Sequence, residues 1–200
     1  MKWTITSLAF LFFIVSCNSK QGNEPVEPSK QPSDSIKQEL AKQRFFPVTD
    51  YLEGQLYDIS QKALNPLKYT TIKEHTDSVY LKLEELRPAI AAFLEPRIDS
   101  MNLISLFTEK RFMDQTLDAI TFTYEPTAQL PDTMKLTHWD VYIDPLTGKV
   151  KRVYMVKQVT ENKTLQLTWL GDHWCKIVTI ITDAAGNSVV EREEKITWDF

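Results

Sequence analysis

The chain reads as an α+β protein, with N-terminal helices packed on one face of a roughly six-stranded antiparallel meander sheet. Three observations predict this. Apolar residues recur at three- and four-residue steps between Leu52 and Leu94, the period of helices buried on one side. Beyond Lys110 the pattern changes to β-prone runs with two-residue alternation, continuing to Trp198. Short loops of turn-forming residues separate these runs, and strands joined that closely must pair antiparallel.

Asp34 to Gln43 reads as a short helix. The next begins near Thr49 or Asp50, a plausible N-cap, with Glu53 in capping-box spacing from Asp50. Leu52, Leu56, Ile59 and Ala63 mark its stripe, Gly54 weakens it, and Asn65-Pro66 ends it. Leu67 to Ile72 is turn-like or extended. The longest helix is expected from Lys73 or Thr76 to Leu94, on the stripe Val79, Leu83, Leu86, Ile90, Phe93 and Leu94. Pro88 removes a backbone donor and disfavours helix at Arg87. It predicts a kink or two helices, with Pro88 in the first turn of the second. Pro96 ends the run, and Leu103 to Lys110 adds a helical turn or two.

The first strand is expected over Leu117 to Glu125. The clearest hairpin is Leu136 to Val159. Trp139, Val141 and Ile143 alternate with His138, Asp140 and Tyr142, then meet Asp144-Pro145-Leu146-Thr147-Gly148. Pro145 presets φ, the Asp144 side chain accepts backbone N–H bonds, and Gly148 takes φ > 0. Val150 to Val159 returns. Three further strands follow: Thr164 to Gly171, Trp174 to Thr182 and Ser188 to Phe200. The hairpin is read as the sheet's central ribbon, its Trp139 face receiving the helix that carries Leu83, Leu86 and Ile90.

At the start of the chain, Lys2 and the apolar run Leu8 to Val15 form a secretory signal pattern, too short to span a bilayer. It ends at Ile14-Val15-Ser16-Cys17, which resembles the lipobox of bacterial lipoproteins. The resemblance implies lipid transfer to Cys17, cleavage after Ser16 and acylation of the new terminus. Several acyl chains anchor as one cannot, at about 0.8 kcal/mol per buried CH₂. The expected organisation is a signal peptide over 1–16, a lipidated Cys and flexible tether over 17–43, and a single α+β domain over 44–200. The tether residues are almost wholly polar and cannot bury enough surface to offset their ordering entropy.

Net charge is −4 with both signs interspersed and no basic stripe, which argues against nucleic acid. With Cys17 lipidated, Cys175 stands alone of the two cysteines and is expected to be buried and inert. His173 and Cys175 would share a strand face, and with His138 a metal site can be drawn, but structural sites need four ligands. His75 lies apart, near a predicted helix start. Asp118, Glu125, Asp140 and Asp144 are acids near the sheet, the raw material of glycoside hydrolysis. Acids at such places usually form turns and edges. No nucleophile elbow, zinc-helix or phosphate-loop pattern is present, so no catalytic residue, cofactor or metal is expected and the protein is not read as an enzyme. Glu191 to Lys195 reads as a solvated edge.

From Phe45 to Phe200 the chain resembles small uncharacterised lipoproteins of Bacteroidota. The resemblance rests on FFPVTDYLEGQL (Phe45 to Leu56), FTEKRFMDQTLDAITFTYEP (Phe107 to Pro126) and DVYIDPLTGKVKRVY (Asp140 to Tyr154). It implies no activity or site residue beyond Cys17. The Asp144 to Val150 turn is also similar to a hairpin of PepSY-type periplasmic domains. Asp34-Ser35-Ile36 matches the short O-glycosylation sequon of the same phylum and falls in the predicted tether. Surface-exported lipoproteins of this phylum tend to carry acids directly after the Cys. Here Asn18-Ser19-Lys20 follow it, so a periplasm-facing outer-membrane anchor is expected. The expected role is a cell-envelope accessory module that binds another envelope protein. The alternative is a periplasmic carrier holding an apolar ligand between sheet and helices.

Overall fold

The computed structural model describes residues 45–62 and 65–198. Cys17, the predicted tether, its Asp34 to Gln43 helix and Ala63 therefore lie outside the described residues. Helix α1 (Val48–Gln61) forms where the apolar stripe predicts, burying Val48, Leu52 and Ile59. The Asp50 cap does not form. Pro47 occupies that position, and the Thr49 hydroxyl instead accepts the Ile98 N–H at 2.8 Å. Glu53 takes both guanidinium nitrogens of Arg87, each at 2.6 Å, which ties α1 to the helix that follows.

Next come β1 (Leu67–Ile72), β2 (His75–Tyr80), α2 (Leu83–Ala89) and α3 (Ala91–Leu94). The rest is strand: β3 (Phe107–Asp114), β4 (Ala119–Pro126), β5 (Leu136–Ile143), β6 (Val150–Thr160), β7 (Lys163–Leu170), β8 (Trp174–Thr182) and β9 (Ser188–Thr197). All pair antiparallel in one nine-stranded sheet, in the order β2-β1-β9-β8-β7-β6-β5-β4-β3.

This corrects the α+β expectation of helices packed on a six-stranded sheet. The protein is mainly antiparallel sheet, with three short helices among the described residues. Two segments account for the difference. Residues 67–80 form a hairpin, so its second strand, His75–Tyr80, replaces the expected start of a long helix at Lys73 or Thr76. Tyr69, Thr70, Thr71 and Ile72 oppose His75 to Ser78, and Lys73 takes φ 55° in the turn. Val79 had seemed to head a helical stripe, but it is 56 % exposed, so its spacing from Leu83 is coincidental. Phe107–Asp114 is likewise a strand; its central charges, Glu109 to Arg111, hide the alternation. The helical remainder does divide in two, but at Ile90, leaving Pro88 in the last turn of the first helix.

The topology sets the path of the segment between the two sheet edges. β2 lies at one edge and β3 at the other, so the chain from Leu81 to Leu106 must cross the sheet. Eight inter-strand steps of about 4.8 Å make that journey roughly 38 Å. The crossing uses two short helices, α2 and α3, with turn and non-helical segments on either side of them.

The crossing segment and α1 cover one face, here the inner face. Its core is aromatic. Trp139 on β5 is stacked on Tyr124, with Phe107 and Phe45 edge-on to it at 4.7 and 6.1 Å. Trp169 on β7 meets Phe93 of α3 at 5.5 Å and Trp198 at 5.0 Å. The β5–β6 ribbon is thus off-centre, β7 being the middle strand. Trp139 is covered by Phe45 and Phe107, while Leu83 is partly exposed.

Candidate functional site

The crossing helices do not fill the inner face. Their small residues Ala89, Ala91 and Ala92 and the sheet beneath them leave two open hollows. One, about 490 Å³, lies between α3 with Glu95 and Pro96 and the sheet residues Lys157 and Leu165. The other, about 680 Å³, lies between α2 and the floor residues Ile72, Val159, Leu165 and Ile177. They meet at Ala92 and Leu165 and together form a trough.

Lys157 stands in this trough by register. Val153, Met155 and Lys157 alternate on β6, so all three face inward, and Lys157 opposes Leu136 on one side and Leu165 on the other. Its side chain is held by the backbone: the ammonium donates to the carbonyl oxygens of Ala92 and Glu95 at the end of α3. Cations are favoured at a helix C-terminus, where carbonyls lack partners. Burial nonetheless pulls the ammonium down to about 8, only partly opposed by the Glu95 carboxylate.

A second polar cluster lies on the opposite face, because His138, Asp140 and Tyr142 alternate with Trp139 and Val141. Asp140 gathers three donors: Thr123 Oγ1 at 2.7 Å, His138 Nε2 at 3.1 Å and the Tyr142 hydroxyl at 3.3 Å. Burial alone would raise the Asp140 carboxyl. The bonds from His138, Thr123 and Tyr142 outweigh it and hold it below the usual range. His138 is raised in turn, chiefly by its bond to Asp140. Arg152 lies over the Tyr142 ring, 4.0 Å from its centroid. This is an anchored ion pair on a broad sheet face.

The other residues singled out in the sequence are dispersed. His75 is exposed on β2 and bonded to Asp77. His173 sits in the β7–β8 turn, its N–H on the Leu170 carbonyl. Cys175 is buried on the inner face, opposing Trp169, and so lies on the other side of the sheet from His138. The drawn metal site is not assembled, and among the described residues no group of three or more His, Cys, Asp or Glu could hold a metal ion. Asp144 caps its turn, accepting the N–H groups of Leu146 and Thr147 at 2.8 Å. Asp118 adopts φ 46° in the β3–β4 turn, and Glu125 pairs with Lys110.

Asp140 was legible only as a strand residue, whereas the fold makes it the hub of a cluster. Lys157 carried a usable signal, a charge in the alternation of Val153, Met155 and Val159. The trough carried none, since it depends on the path of the crossing. Among the described residues no helix is long and apolar enough to cross a membrane. No known protein family, no characterised protein and no solved structure matches the chain.

Proposed function

We propose that the protein is a membrane-anchored lipoprotein of the cell envelope, held through Cys17, whose folded part is an accessory binding module. The anchor follows from the lipobox resemblance at Ile14 to Cys17. The binding role is carried by the trough. Each of its hollows falls within the roughly 300–1,000 Å³ of ligand sites, and Ala, Leu, Ile and Val side chains line them beside charged ones. This supports the carrier reading, an apolar ligand held between helices and sheet.

Contact with another envelope protein is supported by a different feature. Edge strand β2 is exposed along its whole length and ends in Val79 and Tyr80. Asp77 is its one carboxylate, and it carries no Lys, Pro or bulge of the kind that guards edges, which favours an added strand from a partner.

Purification from envelopes in mild detergent tests both. A stoichiometric apolar molecule in the solvent extract supports the carrier reading. A co-purifying protein lost on Ser78→Pro supports the edge reading. Neither, from protein that stays folded, sinks the binding role. Anchoring is tested by Cys17→Ser, which should leave the detergent phase for the aqueous one; unchanged partition refutes it.

A further inference from the structure

We propose that the trough takes a single-chain amphiphile with an anionic head, the head seated at Lys157 and the chain running along Leu165 towards Ile177. This rests on the binding role of the trough. Lys157 is the only Lys or Arg buried among the described residues, at 5 % exposure. An ammonium has three donors. Two go to the carbonyls of Ala92 and Glu95, which leaves one for a ligand oxygen. The charged side chains lining this hollow are Lys157, Lys135 and Glu95, a net positive balance that complements an anion.

The other end of the trough has the opposite character. Ile72, Val159, Leu165 and Ile177 line it beside Thr179, and its charges are already paired: Lys163 with Glu191 at 3.5 Å, and Glu194 with Arg192 at 3.2 Å and with neighbouring Lys68 at 2.6 Å. A ligand anion there would have to break existing pairs, whereas at Lys157 it adds a bond to a desolvated cation. That asymmetry sets the direction of the chain. Charge-assisted hydrogen bonds are stronger than neutral ones, so the head sets the preference among ligands of equal chain length.

The test uses the unacylated full-length chain, carrying Cys17→Ser, and calorimetric binding of palmitate, hexadecyl phosphate and hexadecanol. The expected result is that one or both anions bind at least about tenfold tighter than hexadecanol. The tighter of the two identifies the head as carboxylate or phosphate. Lys157→Met should abolish the preference while hexadecanol still binds, and Lys157→Arg should restore part of it. Leu165→Trp, which fills the junction of the hollows, should weaken all three. Equal binding of anion and alcohol, or an intact preference in Lys157→Met, overturns the head placement and leaves the trough standing. Failure of all three ligands to bind the parent overturns the trough itself. Circular dichroism of each variant shows whether it folds; if Lys157→Met does not, the anion-to-alcohol ratio in the parent and in Lys157→Arg decides.

Discussion

Trp139 lies flat against Tyr124, with ring centroids 4.4 Å apart and planes inclined by 9°. The Tyr124 hydroxyl in turn accepts the backbone N–H of Phe46 at 2.9 Å, so the stack joins the sheet to the point where the chain enters the fold. Trp139 is wholly buried, but its indole N–H has no hydrogen-bond partner. Trp139→Ala should cost about 3–5 kcal/mol, as large core truncations do. Trp139→Phe keeps one aromatic ring and removes the orphan donor, so it should cost less than the alanine variant. Urea unfolding measures both. A midpoint unmoved by the alanine variant would show that the ring is not part of the core.

The His138–Asp140 pair predicts a pH signature. His138 is raised in the folded state, so its contribution is complete below its ordinary value of 6.5 and fades as pH rises through the raised one. Asp140 is lowered, so its contribution is present above 3.8 and is lost as pH falls through the lowered value. In the native protein the His138 ring resonances should titrate above 6.5. In Asp140→Asn, where burial acts without the carboxylate, their midpoint should fall. An equal midpoint in the two proteins would mean that the carboxylate does not set it.

Lys157 should act in the alkaline range. Its folded value of about 8 lies below the ordinary 10.5, so between them the unfolded chain binds more protons. Stability from this group therefore rises with pH across that window, by at most about 3 kcal/mol. Subtracting the pH–stability curve of Lys157→Met cancels the other lysines and tyrosines. The difference should be flat near neutrality and climb from about pH 8 to 10. A flat difference throughout would show the ammonium to be solvated.

Cys175 is 1 % exposed, and burial pushes its thiol far above the usual range. The thiolate is the reactive form, so the native thiol should resist a disulfide reagent and react only as the protein unfolds. Reaction of the folded protein as fast as that of a free thiol would contradict this placement.

The six strands β4 to β9 were legible because their signals are local. The alternation of Trp139, Val141 and Ile143, and the turn chemistry of Asp144 to Gly148, lie within a few residues of each other. β1 was read only as a turn-like or extended piece, and β2 and the start of β3 were read as helix, for identifiable reasons. Val79 mimicked a helical step while pointing at solvent, and Glu109 to Arg111 broke the alternation of an edge strand. Of the candidate site, Lys157 was not singled out in the sequence, although it falls in the alternation of Val153 and Met155. The trough around it required the helices to be placed over the sheet.

The sequence by itself thus determined the stripe of α1 and the hairpin series from β4 onward. Each depends on residues near one another in the chain. Only the tertiary structure decided that β1 closes onto β9, that the crossing passes over the inner face, and that Lys157 ends beneath the carbonyls of Ala92 and Glu95. Those pairings join residues far apart in sequence. Their energies come from burial and from the desolvation of partners brought together, which no local pattern encodes.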